Sequence, residues 1–287
     1  MRDLLSIGTS RGCEMIGTGI GLGVSGFNLA RIPFSPSSIS GLQLWLDASD
    51  PATLYQSSGG SLASADGDPV GYWGDKSGNG RHAVQTDGTK KPALKLAIQN
   101  GKNVARWDGT NDFLSVTGSS STMKFLHSAD STVFAVFSSS VNNKCLLSTD
   151  NNSTTVVGYG IYLSTTGGNI EHVITKGSAP IVIYHSPNIG SITAKCLLTV
   201  VSKPSNATAA NRSLIAKNSG TQLAANTYTG TPVTSNSYGD FTIGARSFSN
   251  DQNLNGDICE IVIFNSALDS NDKSRIENYL NAKWSIY

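Results

Sequence analysis

Thr132-Val133-Phe134-Ala135-Val136-Phe137 is the stretch on which the fold turns, because both of its alternating faces are mostly apolar. Val133, Ala135 and Phe137 fall on one side of an extended strand, and Thr132, Phe134 and Val136 fall on the other. A strand of that kind is covered on both sides, so it belongs in the middle of a sheet. Outward from it, apolar or alternating runs recur at 42–46, 104–107, 158–163, 181–184, 196–201, 241–243 and 258–264, divided by Gly, Asn, Asp, Ser and Pro. Many short strands joined by turns make an all-β chain. In 258–264 the alternation puts Cys259, Ile261 and Ile263 on one face and Ile258, Glu260, Val262 and Phe264 on the other, with Glu260 the polar exception.

The chain closes on a different period. Ile276, Tyr279, Leu280 and Trp284 recur at helical spacing behind Asp269 or Ser270 as the cap, with Asp272 near the positive end. That stripe predicts a C-terminal helix laid on the sandwich. Its polar side mixes Lys273, Arg275 and Lys283 with Asp272 and Glu277, which is not the cationic face of a membrane-surface helix. Residues 1–39 differ again. Gly8, Gly12, Gly17, Gly19, Gly21, Gly23 and Gly26 leave few side chains for a core, so this part reads as a Gly-rich N-terminal arm that orders on a partner, or as a leader without a role. Residues 40–287 form the sandwich.

Composition narrows the partners. Only 14% of the 287 residues are charged, and 21 Lys+Arg stand against 20 Asp+Glu for a net charge of +1, with no basic run. Phosphate contacts need clustered cations, so nucleic acid is excluded as a partner. Cys13, Cys145, Cys196 and Cys259 lie too far apart for a zinc ribbon or redox pair and read as buried thiols. His82, His127, His172 and His185 form no pair at metal-ligand spacing. Arg2 is offset by Asp3, and the apolar stretch 16–24 is interrupted by glycines. The expectation is therefore no export signal, no membrane span, and folding in a cytoplasm.

Four segments in order carry a family resemblance: Gly41-Leu42-Gln43-Leu44-Trp45-Leu46-Asp47-Ala48-Ser49-Asp50, Trp73-Gly74-Asp75-Lys76-Ser77-Gly78-Asn79-Gly80-Arg81-His82-Ala83, Val104-Ala105-Arg106-Trp107-Asp108-Gly109-Thr110-Asn111-Asp112-Phe113-Leu114, and Leu254-Asn255-Gly256-Asp257-Ile258-Cys259-Glu260-Ile261-Val262-Ile263-Phe264 with the helix that follows. Together they resemble the concanavalin-A-like lectin/glucanase superfamily, in its laminin-G-like and pentraxin-like branch of phage virion and bacterial surface proteins. The resemblance implies a jelly-roll sandwich of two antiparallel sheets. It implies no particular ligand, since one fold hosts many functions. Asp75 to Gly80 and Asp108 to Asp112 also read, without any family, as turn chemistry.

Family habit makes calcium the cofactor to consider, with Asp75, Asp108 and Asp112 as the local carboxylates, although no Asp-x-Asp-x-Asp-Gly loop is present. Hydrolysis would need two carboxylic acids flanking one bond, and the Glu-x-Asp-x-x-Glu pattern of the hydrolytic branch is missing. Asp257 and Glu260, three apart, would point to opposite faces of a regular strand, so the expectation is that the chain is not an enzyme. For a ligand, Tyr72 and Trp73 lie beside a loop and offer rings that stack on sugars as readily as they fill cores, while Tyr159, Tyr162, Tyr184, Tyr228 and Tyr238 fall near strand ends. Trp45, Trp107 and Trp284 sit in apolar patterns and read as core.

The sequence reading is a virion structural protein, a capsid decoration or a tail or fibre appendage. Its arm would anchor to other virion proteins and its sandwich would project toward cell-surface glycans. Analogy suggests a homo-oligomer, taken as a trimer. The alternative is a bacterial carbohydrate-binding or adhesion module at the cell surface, with a glycoside hydrolase of the same fold as the third reading.

Overall fold

A computed structural model describes residues 34–150, 153–179, 181–224 and 230–287. Residues 1–33 of the Gly-rich arm expected over 1–39, together with Cys13 and Tyr228, lie outside them. In chain order the strands are β1 (Leu42–Asp47), β2 (Leu54–Tyr55), β3 (Tyr72–Trp73), β4 (Ala83–Val84), β5 (Ala93–Gln99), β6 (Lys102–Asp108), β7 (Leu114–Val116), β8 (Ser131–Ser139), β9 (Lys144–Ser148), β10 (Val157–Leu163), β11 (Ile170–Lys176), β12 (Ile183–His185), β13 (Cys196–Ser202), β14 (Ser213–Lys217), β15 (Leu223–Ala224), β16 (Phe241–Ile243) and β17 (Asn255–Phe264). Two short helices, α1 (Ser119–Thr122) and α2 (Phe125–Ser128), precede β8, and α3 (Ser270–Trp284) follows β17. No helix among the described residues is long and apolar enough to cross a membrane.

The strands form two antiparallel sheets. The first runs β15-β14-β13-β8-β17-β6-β5, and the second runs β12-β11-β10-β9-β16-β7-β4-β3-β2. β17 is the organising strand of the first sheet. One of its edges pairs with β8, and the other is shared between β6, along Asn255 to Ile258, and β1, along Glu260 to Phe264. All of β8 is buried. Val133, Ala135 and Phe137 enter the core between the sheets while Phe134 and Val136 lie under α3, so the strand is covered on both sides as its sequence requires.

Helix α3 is capped by Asp269, whose side chain accepts from the Asp272 N–H at 2.8 Å and satisfies an otherwise orphaned donor. Its buried Ile276, Leu280 and Trp284 pack on Trp45, Phe134, Val136, Val262 and Phe264 on the outer face of the first sheet. Each such side chain contributes about 2 kcal/mol through burial. Phe34 and Ile39, placed in the arm by composition, join this cluster, and the Phe34 ring stands edge-on to Tyr279 at 5.8 Å.

One expectation about faces is corrected here. The ladder between β17 and β8 shifts register between Ile258 and Glu260, a bulge at Cys259. The extra residue turns the following side chains over. Ile258, Ile261 and Ile263 therefore point into the inter-sheet core, and Cys259, Val262 and Phe264 lie under α3. Cys145, Cys196 and Cys259 are all buried free thiols, and burial pushes the Cys196 thiol up to about 12.

One end of the inter-sheet core is polar. Ser131, Ser202 and Ser213 stand in register on β8, β13 and β14. Ser213 Oγ lies 2.7 Å from His172 Nδ1 and 2.9 Å from His185 Nδ1, the two rings being cross-strand neighbours on β11 and β12. A serine hydroxyl carries one proton, so Ser213 can donate to only one of the two rings. This arrangement joins the two sheets through the two imidazoles.

Candidate functional site

The outer face of the second sheet is built on glycines. On β10, Tyr159, Ile161 and Leu163 fill the core, and Gly158, Gly160 and Tyr162 face outward. A β-carbon at Gly160 would lie 2.0 Å from the Tyr162 ring, so the glycine lets that ring lie flat along the sheet. Its hydroxyl thereby donates to Asp150 Oδ1 at 2.5 Å, and Thr175 Oγ1 donates to Asp150 Oδ2 at 3.0 Å. Burial, with the Asp150 charge beside it, pushes the Tyr162 phenol far above its usual range. Cys145 and Val173 complete a small apolar patch, at whose edge Tyr184 donates to Glu171 at 3.1 Å.

The connection from β16 to β17 runs beside this patch. Arg246 donates from Nε to Asp251 Oδ1 at 2.6 Å and from a second nitrogen to Oδ2, a bidentate pair. Asp251 holds the guanidinium charged, and the nearby Tyr162 and Cys145 act in the same direction. Between these two residues the chain is strained: Phe248 has φ +69° and Asn250 φ +51°, followed by Gln252 at φ +51°. A bulky side chain in that region costs on the order of 1–2 kcal/mol, and such strain collects where a surface has work to do. Here it lifts an aromatic ring into solvent. Phe248 is 69% exposed and Tyr238 44% exposed, with ring centroids 4.8 Å apart at 58°. Tyr238 is positioned from below by its own N–H, which donates to the Val157 carbonyl at 2.7 Å. An exposed aromatic pair flanked by a guanidinium–carboxylate pair and Asn250 can stack an apolar sugar face while polar groups meet its hydroxyls.

Of the residues singled out from sequence, Trp73 is corrected. It is fully buried, its ring 6.5 Å from Trp107 in the core, because on a two-residue strand it takes the inward position and Tyr72 the outward one. Tyr72 is half-buried, between Tyr55 at 5.5 Å and His82 at 5.0 Å. The structure does not bring Asp75 together with Asp108 and Asp112 as one cation-binding group. Asp75 accepts from the N–H groups of Trp45 (3.0 Å), Ser77 (2.9 Å) and Arg81 (3.0 Å) and from Ser77 Oγ (2.7 Å), which occupies its lone pairs with turn hydrogen bonds. Asp112 is 5% exposed, accepts from the Asp108 N–H at 3.0 Å, and is pushed up to about 6 by burial and by Asp108. Asp108 in turn accepts from the Thr110 N–H at 2.7 Å, so each of the three carboxylates serves its own turn, and no group of three or more His, Cys, Asp or Glu side chains that could hold a metal gathers among the described residues.

Asp257 and Glu260 also depart from expectation. The bulge at Cys259 puts both on the outer face of the first sheet. Burial works against the Asp257 charge, but Arg106 (2.5 and 2.9 Å) and Lys195 (2.6 Å) outweigh it and hold its carboxyl below the usual range. Glu260 is fully buried beneath α3, where it accepts from Trp45 Nε1 (2.7 Å), Trp284 Nε1 (2.7 Å) and Tyr279 OH (2.9 Å) and pairs with Lys283 (2.7 Å). Burial raises its pKa, as does the nearby Asp47. Asp257 ties β17 to β6 and to the start of β13 within the first sheet, whereas Glu260 ties the sheet to α3 and presents no oxygen to a substrate.

No protein-family model and no curated protein matches the sequence, whereas the fold matches solved structures. They include the receptor binding domain of botulinum neurotoxin D (TM-score 0.54, 13% identity, 85% of this chain and 54% of that one). They also include the binding domain of botulinum neurotoxin DC in complex with SialylT (TM-score 0.52, 13% identity, 86% and 52%). A third is the Trypanosoma rangeli sialidase in complex with 2,3-difluorosialic acid as a covalent intermediate (TM-score 0.51, 13% identity, 83% and 33%). The chain thus spans about half of the toxin domains and a third of the sialidase. At these identities the likeness establishes the fold alone, a jelly-roll sandwich of two antiparallel sheets. Tyr238 is visible in the sequence only as one tyrosine among several. Phe248 has a signal, a lone large ring in the polar run Ser247-Phe248-Ser249-Asn250-Asp251-Gln252.

Proposed function

We propose that the sandwich is a non-enzymatic carbohydrate-recognition module whose contact surface is the Tyr238–Phe248 pair. The single observation that carries this reading is a Phe held at positive φ so that most of its ring faces water. A strained, exposed phenylalanine costs stability and leaves the core unchanged, which is the signature of a contact residue. Solved structures of the same fold that carry SialylT or a sialic acid derivative agree with that class of ligand. The test is a glycan array probed with the whole chain and with Phe248→Gly, which suits the local backbone. Retention of glycans by the wild type and its loss in the variant is expected. An array on which the wild type retains nothing refutes the reading.

The setting we propose is a virion appendage, a symmetric oligomer taken as threefold, in which residues 1–39 anchor to other virion proteins and the sandwich meets cell-surface glycans. The Gly-rich composition of that segment supports an element that orders on a neighbour. Deleting residues 1–35 is expected to leave the sandwich folded and to abolish incorporation into particles, and unchanged incorporation would count against anchoring. Light scattering of the whole chain reads the oligomer.

A further inference from the structure

Where β8 gives way to β9, the connection lies against the β10–β11 turn and the β12–β13 connection. The three enclose a cleft of about 410 Å³, within the roughly 300–1,000 Å³ range of small-ligand sites. Ser139, Ser140, Asn142, Asn188, Ser191 and Thr193 supply its side-chain polar groups, and no charged or aromatic side chain lines it.

Its walls are fixed by the protein itself. Asn188 donates from Nδ2 to the Gly167 carbonyl at 3.3 Å and accepts at Oδ1 from the Gly190 N–H at 2.8 Å, so one amide joins two of the walls. Gly168 has φ +82°, and a β-carbon there would come within 3.1 Å of both Asn188 Oδ1 and the Gly190 carbonyl oxygen, so the close meeting of the turns needs glycine. Ser139 Oγ donates to the Val141 carbonyl at 2.8 Å and shapes the third wall. Rigid walls reduce the ordering cost of binding.

The lining selects by exclusion. Lys217 stands behind one wall with its Nζ held by the Ile189 (3.2 Å) and Ser191 carbonyls, so an anion would meet no charged side chain in the lining itself, and an aliphatic ligand would strand hydroxyls and amides without partners. We propose that the cleft is a second saccharide site, separate from the Tyr238–Phe248 pair, that takes uncharged sugar units. Gln252 Nε2 donates to Asn143 Oδ1 at 2.9 Å, which ties the connection carrying Phe248 to the one walling the cleft. One glycan chain reaching both places gains affinity from the linkage.

The experiment is a titration of the ¹⁵N-labelled whole chain with lactose, maltotriose, chitotriose and 3′-sialyllactose, followed through amide shifts. At least one neutral sugar is expected to shift Gly167, Gly168, Gly190 and Ser191. Ser191→Trp or Asn142→Trp, each filling the cleft from an exposed rim position, is expected to weaken that binding about tenfold or more, and Phe248→Gly is expected to leave it within about twofold. The proposal is overturned by shifts absent with all three neutral sugars at millimolar concentration, by shifts that persist in both tryptophan variants, or by a preference for 3′-sialyllactose over lactose at these amides. Loss of array retention in Phe248→Gly reports on the aromatic pair alone, so the two readings fail independently.

Discussion

Replacing His172 by Phe is expected to remove a large part of the acid sensitivity of the sandwich. The ring is fully buried, packs against Tyr159 with centroids 5.2 Å apart, and shares the Ser213 hydroxyl with His185. Burial, with the second imidazole beside it, pushes His172 from 6.5 down to about 3. The folded state therefore refuses a proton that the unfolded chain accepts, so stability is lost as pH falls from 6.5 toward 3. Near pH 4 about two and a half units of that gap have been crossed, worth about 3 kcal/mol at ~1.4 kcal/mol per unit. Phe keeps the ring volume, removes the titration and leaves Ser213 bonded to His185. Urea unfolding of both proteins between pH 7 and pH 4 measures the effect. The wild type should lose about 3 kcal/mol more than the variant over that interval. Parallel profiles, differing by less than about 1 kcal/mol, would refute the assignment of a buried neutral ring.

Asp112→Asn keeps the acceptor for the Asp108 N–H and removes a charge that burial opposes. Because the folded pKa is raised, from 3.8 to about 6, the wild type loses stability as pH rises through that window. The variant should be more stable by about 2 kcal/mol at pH 7, with the advantage gone near pH 4 in the same urea assay. Lys283→Met strips the cation shared by Asp47 (2.6 Å) and Glu260 (2.7 Å) and leaves a buried carboxylate facing another acid. A loss of about 3–5 kcal/mol is expected from thermal unfolding, with the emission of Trp45 and Trp284 reporting release of α3. Phe248→Gly relieves positive-φ strain at an exposed site, so its midpoint should equal or exceed that of the wild type by up to about 1 kcal/mol even as glycan retention is lost.

The two-sided burial of β8 was legible because alternation is local, and both faces of residues 132–137 carry apolar side chains. The C-terminal helix was legible for the same reason. The bulge at Cys259 was not, since one extra residue in a ladder is a property of how β17 pairs with β8 and leaves no mark in composition. Glu260 stood out as a polar exception, yet its partners come from residues 45, 279, 283 and 284, and only the assembled sheet and helix bring them together. Trp73 was misplaced because two residues are too few to display a period. The site itself was the least legible part. Nothing in a phenylalanine codon position announces a left-handed backbone, and it is the backbone at Phe248 that makes the ring a surface feature.

The position of β17 between β8 and the pair β6 and β1 also bears on how the molecule is made. Strands on both of its sides are synthesised well before it, so the first sheet stays split until residue 264 has left the ribosome. Pairings this distant in sequence make for slow closure. Residues 255–287 behave, in this light, as a keystone: strand and helix arrive together and close the first sheet, whose two halves until then meet only through β16 in the second. A chain cut in the connection before β17 is the natural starting point for a two-piece version, in which the keystone, added separately as a peptide, restores the whole.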